Sequence, residues 1–463
     1  SQKIENVGPS ALIGASNALG KLELLAPIIE NRDETTATDT SALTTILGLG
    51  EVVLAGSRDA VSGQYARASQ VVNTSGLIQS GGDMSIYADT LTNTRRDLVA
   101  SNTFTQVGQS SGSVVWTAAN PNVPGGRYIE PPHEGTWNSH YVRTDYTGRL
   151  YRNSLISISP EAQILSGGNL NPMVNLLRNY WSKVSAAGDI SLTGVTLDQN
   201  SWRGATPYLQ RAVYNGTYLY QTYDGNYWRW SWLAAQTSDT PLSGYDSSFV
   251  ARGNISGSGA TIDNTAGSTP ATPLGIQAGQ AIQATAGVTV RAVGQSSVLA
   301  NLSLPPGGLF HTNTNPQASY LVETNPVFAN RQAWLSSDWY FQQLRLDPAM
   351  IQKRLGDGFY EQKLVREEIL SLTGKAMLGG YANEEAQFRE MMTAGATLVQ
   401  ALDIRPGISL NAEQVAKLTS NVIIMETRVV DGNSVLVPVV YLARVNQDDL
   451  LPTGSMIAAT NIN

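Results

Sequence analysis

The chain has 463 residues, no cysteine, a formal net charge of −7 and only 14% charged residues, against about 25% for an average soluble domain. The acidic balance, with no cluster of Lys and Arg, argues against nucleic acid as a partner, which needs a basic stripe. No stretch approaches the ~18–20 apolar residues of a membrane-spanning helix.

Ser1 follows no leader and Ile4 to Asn6 already reads as the end of a structural repeat, so the sequence is expected to be a piece of a longer polypeptide. The repeat runs from a glycine through a polar residue to apolar positions at plus two, often plus four, and plus nine. Gly20-Lys21-Leu22 reaches Ile29, Gly82-Asp83-Met84 reaches Leu91, Gly168-Asn169-Leu170 reaches Leu177, Gly188-Asp189-Ile190 reaches Leu197, and Gly253-Asn254-Ile255 reaches Ile262. Several copies close on or near Asn31, Asn93, Asn179 and Asn264. A glycine corner, a short alternating strand and a second apolar strand describe one coil of a parallel β-solenoid, whose coils bury their apolar faces only by stacking. The expected fold is mainly β: a right-handed parallel β-helix with aromatic hairpin insertions, followed by a smaller α+β module. A chain without cysteine also suits export in an unfolded state through a narrow pore.

Coils are expected over 1–100 and 161–200, with terminal coils and a Pro/Gly linker over 251–315. Residues 101–160 and 201–250 are aromatic insertions; the second holds twelve aromatics between Trp202 and Phe249. Tyr218 to Tyr223 and Tyr227 to Trp232 flank Asp224-Gly225-Asn226, and two alternating aromatic runs around Asp-Gly signal a hairpin. Period two puts Trp228, Trp230 and Trp232 on one face and Arg229 on the other. A weaker hairpin is read from Tyr141 to Tyr151 around Thr147-Gly148. A further copy near Ala286-Gly287 departs from the pattern, and the rod is expected to end near Pro305-Pro306-Gly307-Gly308.

Residues 316–455 read as the α+β module. Asp347-Pro348 forms a helix start. Phe359 to Leu372 has the spacing of an amphipathic helix closed by Gly374. Asn383 caps a helix to about Leu402, and Asn411 with Gln414 forms a capping box for a short helix through Leu418. Val422 to Val430 and Ser434 to Val445 flank Asp431-Gly432-Asn433 as a second hairpin, and 456–463 starts a following repeat region.

Tyr320-Leu321-Val322-Glu323-Thr324-Asn325-Pro326, Trp334-Leu335-Ser336-Ser337-Asp338 and Leu355-Gly356-Asp357-Gly358-Phe359-Tyr360-Glu361-Gln362 resemble the central region of two-partner-secreted, filamentous-haemagglutinin-like exoproteins of the CdiA contact-dependent growth inhibition type. Arg405-Pro406-Gly407 and Ala412-Glu413-Gln414-Val415 fit the same resemblance, and the glycine coils resemble that family's haemagglutinin repeats. The resemblance implies a secreted filament on the bacterial cell surface, exported by an outer-membrane transporter. Such a filament recognises an outer-membrane receptor, protein or glycan, on a target bacterium and delivers a toxin carried elsewhere. The Val-Glu-Asn-Asn boundary that usually precedes the toxin is absent, so no nuclease or pore-forming activity is assigned to this piece.

No catalytic residue, metal site or cofactor is expected. His133, His140 and His311 read as loop histidines without metal-ligand spacing; Glu384-Glu385 read as first-turn helix charge, and Asp448-Asp449 as an exposed turn. Gly356-Asp357-Gly358 reads as a joint between helices, without the strand–helix context of a phosphate loop. Receptor contact is expected at Tyr218, Tyr220, Tyr223, Tyr227, Trp228, Arg229 and Trp230, assisted by Tyr141 and Tyr146, because Tyr and Trp dominate binding hot spots. The structural alternative is that the three tryptophans form the hairpin's own core. Rival functions are an adhesin for host cells or glycans and a β-helix polysaccharide-degrading enzyme, which would need clustered carboxylates.

Overall fold

The computed structural model describes residues 2–34, 44–115, 122–123, 126–127, 140–200, 209–221, 227–231, 236–241, 246–265, 283–284, 297–300, 302–305, 307–329, 334–346, 350–443 and 455–463. The expected helix start at Asp347-Pro348, the copy at Ala286-Gly287 and the turn at Asp448-Asp449 lie outside them.

The molecule is mainly β and is organised around two parallel sheets. The glycine pattern sets their register. Leu22 pairs with Val52, Val52 with Met84, Met84 with Leu170, Leu170 with Ile190 and Ile190 with Ile255, so the plus-two positions stack. The plus-nine positions stack likewise through Ile29, Val71, Leu91, Leu177, Leu197 and Ile262. Both rows belong to a twelve-stranded sheet.

Two features escape the glycine rule. A return over 51–74 has its second strand displaced by the small antiparallel pair Ser57–Arg58 and Tyr65–Ala66, so Val71, rather than the residue nine after Gly50, fills its place in that row. The strand before each glycine also forms a sheet of its own, of seven strands: Leu12–Ala15, Thr45–Gly48, Leu77–Ser80, Gln163–Ser166, Lys183–Ala186, Ser248–Ala251 and Met456–Ala458. Its inward side chains Ile46, Ile78, Ile164, Val184 and Phe249 share one core with Met84, Leu91, Leu170, Leu177 and Leu197.

The closing asparagines form a continuous buried ladder. Asn6 donates to Asn31 (2.8 Å), Asn31 to Asn73 (2.8 Å), Asn73 to Asn93 (2.8 Å), Asn93 to Asn179 (2.9 Å) and Asn179 to Gln199 (2.8 Å), and Gln199 reaches Asn264 (3.1 Å). An amide suits the position because its oxygen accepts from one neighbour while its nitrogen donates to the next. The same nitrogens also reach backbone carbonyls of the smaller sheet, as Asn93 does with Lys183 at 3.0 Å, which ties the two sheets together.

The parallel pairing does not end near Pro305. Ser248 pairs directly with Met456 and Ile255 with Ile462, so the segment between is a lateral insertion rather than an end-on module. It carries a five-stranded sheet, in the order Phe310–Thr312, Tyr320–Thr324, Arg354–Gly356, Asn433–Tyr441, Val422–Val430. The last two strands form the expected hairpin, with Asp431 (φ 45°) and Gly432 (φ 81°) in the left-handed conformation that an Asp-Gly turn supplies. Asn383 caps Glu384–Ala401, and Asn411 with Gln414 forms the capping box of Ala412–Ala416. No helix among the described residues is long and apolar enough to cross a membrane.

Helix Gly358–Thr373 corrects the amphipathic expectation. It starts at the Asp357 cap and ends at Gly374 (φ 71°), but every residue from Gly358 to Leu370 is buried, including Glu361, Lys363, Arg366, Glu367 and Glu368. It lies between the five-stranded sheet and the outer face of the seven-stranded one. Val365 and Ile369 pack with Ile424 and Val439, Leu364 and Phe359 with Leu47 and Leu49, and Leu370 with Leu77 and Leu165. Periodicity therefore failed because the helix has two apolar partners; its Lys363–Glu367 pair (2.5 Å) is buried, and Arg366 reaches out to Glu384 (3.2 Å), whose side chain is 38% exposed.

Candidate functional site

The chain leaves the parallel sheets after Met84–Thr94, after Thr196–Asn200 and again after Thr261–Thr265; the first two excursions build most of one antiparallel sheet, and Gln283–Ala284 of the third adds an edge strand to it. Its order is Tyr227–Ser231, Leu209–Gln221, His140–Ile158, Leu98–Val115, Gln283–Ala284, with Gln236–Pro241 also on Leu209–Gln221. The long strands continue the β-branched and aromatic alternation that favours a pleated surface. At its base the Asn153 side chain donates to Ser101 O (3.0 Å) and accepts from Leu209 N (2.9 Å), joining three strands. Further out Arg211 grips Asp239 bidentately at 2.7 Å for each contact and lies 4.5 Å over the Phe104 ring. The Asp239 carboxylate raises the Arg211 pKa above its already high ordinary value, so this cation is permanent.

The expected hairpin around Thr147-Gly148 does not form. His140–Ile158 runs straight through, with Thr147 opposite Ser111 on one side and Asn215 on the other. A two-residue turn needs left-handed backbone at both positions, which β-branched Thr resists, and a strand paired on both edges has no reason to reverse.

Register assembles most of the expected contact residues. Tyr141 stands opposite Tyr220, Tyr220 opposite Trp228, Tyr218 opposite Trp230, and Tyr146 opposite Gly216. With period two these rows put Tyr141, Tyr146, Tyr218, Tyr220, Trp228 and Trp230 on one face of the sheet. Tyr227 and Arg229 pair with Gln221 and Leu219 and fall on the opposite face. Tyr223 and Trp232 lie outside the described residues. Sequence reading missed that Tyr141 and Tyr146 adjoin the second aromatic run, because that pairing is between distant segments.

Two of the three histidines differ from the loop reading. His311 sits on strand Phe310–Thr312 opposite Glu323, with 3.3 Å between Nε2 and its carboxylate; His140 begins a strand, and His133 lies outside the described residues. Among the described residues no three His, Asp or Glu side chains converge as a metal site. Gly356-Asp357-Gly358 is a strand–helix junction after all, because Arg354–Gly356 is a strand. Its anion position is already filled: Asp357 accepts from Tyr360 N (3.1 Å), Thr324 N (2.6 Å) and Thr324 Oγ1 (2.7 Å), and a carboxylate there repels phosphate.

Buried acids in the insertion are the other polar cluster. Glu361 accepts from Ser337 N and Oγ, both at 2.6 Å, and burial pushes its carboxyl up to about 8. Burial also raises Glu368 well above the carboxylate range, although it accepts from Val440 N (2.9 Å). Both stand among packed side chains with partners from the same fold, and their chemistry is structural.

No family model matches the chain, and no solved structure matches it. Among curated proteins it is 42% identical, over 501 aligned residues, to one named Toxin CdiA from Yersinia pestis. It is 39% identical over 546 to one named tRNA nuclease CdiA-2 from Burkholderia pseudomallei. Each alignment covers 98% of this chain but only 15% and 17% of those proteins. A protein named Toxin CdiA from Escherichia coli is 25% identical over 86% of the chain.

Proposed function

The chain belongs to the CdiA family, and from that premise we propose that it is the receptor-binding central segment of a secreted contact-dependent inhibition filament. The two parallel sheets are faces of a right-handed parallel β-helix. Three observations support this: each return of the chain adds a strand to both sheets, all returns enclose one core, and the amide ladder runs along the whole stack. Crossovers between parallel strands are almost always right-handed. The rod carries an outer-membrane receptor contact at the cell surface, an outer-membrane transporter exports it, and the toxin lies elsewhere in the full-length protein. This piece has no catalytic role.

The observation that carries the reading is the aromatic antiparallel sheet. Stacked returns present nearly the same polar surface each time, whereas the first two excursions converge on one sheet that concentrates tyrosine and tryptophan in adjacent rows. Aromatic anchors with an arginine nearby are the residue types of binding hot spots. The test is capture of outer-membrane proteins from target bacteria by the whole chain and by a Tyr220→Ala/Trp228→Ala variant. Specific capture of one component by the parent and its loss in a folded variant supports the reading. Equal capture by both refutes it.

A further inference from the structure

The strand pairing of the antiparallel sheet gathers arginines that the sequence scatters. Positions alternate between the two faces along Leu209–Gln221 and across its pairs. Arg143, Arg149, Arg211 and Arg229 therefore all fall on the face opposite Tyr220 and Trp228, together with Asp145 and Asp239. Asp239 is held by Arg211 at 2.7 Å, which leaves three arginines against one aspartate. Among the described strand residues the aromatic face carries one charged residue, Arg152. The arginine face is open: Gln109, Ser111, Thr147, Arg149, Asn215 and Thr237 belong to it, and all are exposed.

Layout narrows the class of partner. Arg229 and Arg143 flank Leu219 in one row, about 10 Å apart across two strand spacings. Arg149 follows Arg143 along the same strand, about 20 Å away. Cations spaced this widely over an open sheet, with small polar residues between them, do not enclose one small anion; they match an extended anionic layer. Arginine takes phosphate bidentately. Tyr227 and Tyr151 stand on the same face, on the strands of Arg229 and Arg149, and tyrosine is a residue that settles at the headgroup level of a membrane. The chain as a whole carries a net charge of −7 and is repelled by an anionic surface, so this face alone is drawn toward one. We propose that the arginine face docks on the lipid phosphates of a membrane surface, which leaves the aromatic face uncovered for a receptor. That the membrane is the target cell's rests on the receptor-binding reading; the docking itself does not.

The test is co-sedimentation of the whole chain with vesicles of phosphatidylcholine, alone or with about 30% phosphatidylglycerol. Binding to the anionic vesicles only is expected, falling at least about ten-fold between about 50 and 500 mM salt. Arg149→Gln and Arg229→Gln should each weaken it about five-fold, the equivalent of ~1 kcal/mol for an arginine near an anionic surface. Arg152→Gln, on the other face, should bind as the parent does, and all three variants should keep the parent's circular dichroism. Equal binding to both vesicle types, binding that salt does not weaken, or an Arg152→Gln loss as large as the other two overturns the proposal. So does stronger binding to double-stranded DNA at the same phosphate concentration. The vesicles hold no protein, so these results stand whether or not the aromatic face captures a receptor.

Discussion

Asn93 sits mid-ladder, fully buried, accepting from Asn73 Nδ2 (2.8 Å) and donating to Asn179 Oδ1 (2.9 Å) and Lys183 O (3.0 Å). Asn93→Ala removes both links. Asn73 Nδ2 keeps Gly76 O (2.9 Å) and Gln163 O (3.1 Å), but Asn179 Oδ1 loses its donor inside the core. A buried acceptor left unmatched costs about 1–3 kcal/mol, and the lost bond and the void add to it, so about 2–4 kcal/mol is expected. Asn93→Asp is nearly isosteric yet turns a donor into an oxygen facing two other oxygens. It should cost more than alanine at neutral pH. Burial and those neighbours raise the folded pKa of the new carboxyl above its unfolded value of about 3.9, so the fold holds its proton more tightly. The penalty is therefore smallest in acid, where the protonated carboxyl would donate to Asn179, and grows as pH rises from about 4 upward. Asn264 holds the same register at the exposed end, and Asn264→Ala should cost under about 1 kcal/mol, as surface changes usually do. Urea unfolding followed by far-ultraviolet circular dichroism reads the three variants as midpoint shifts. Asn93→Ala within about 0.5 kcal/mol of the parent, or equal to Asn264→Ala, would refute the view that the ladder holds the sheets together.

Glu361, with its carboxyl at about 8 against an ordinary 4.5, is protonated more readily in the fold than in the unfolded chain. Its contribution therefore favours the fold at low pH and is lost as pH rises from 4.5 through about 8, on the order of 3–5 kcal/mol in all; Glu361→Gln should flatten the fall in melting temperature between about pH 5 and pH 8.5, and an unchanged slope would contradict the assignment. A Cβ at Gly81 would lie 2.1 Å from Leu49 O, so Gly81→Ala should force neighbouring returns apart and cost at least about 2 kcal/mol, whereas Gly194→Ala, which meets nothing within 4 Å but has φ 70°, should cost about 1 kcal/mol. Because register separates the two faces of the aromatic sheet, Tyr220→Ala and Trp228→Ala should each weaken receptor capture by about 1–3 kcal/mol, and Tyr227→Ala and Arg229→Ala much less; equal losses on both faces would show that the sheet binds through its edge or has been unfolded.

What the sequence determined by itself is whatever repeats locally. The glycine corners at 20, 82, 168, 188 and 253, with their apolar residues at plus two and plus nine, predicted the register of five returns in the larger sheet, while the return over 51–74 and the rungs at Asn73 and Gln199 went unread. Caps and turns were equally legible: Asn383, the Asn411–Gln414 box and Asp431-Gly432 act within a few residues of chain. The tertiary structure decided everything that joins distant segments. Ser248 pairs with Met456 across the whole lateral insertion, and closing a long loop costs only slightly more than closing a short one, so nothing in the intervening composition says where the stack resumes. Tyr141 and Tyr220 became neighbours because both excursions return to one sheet, a pairing no local pattern encodes. The charged residues of Gly358–Thr373 looked like a solvent face until two sheets covered the helix from opposite sides; periodicity reports how many apolar faces an element has, and a salt-bridged polar face can be buried as well.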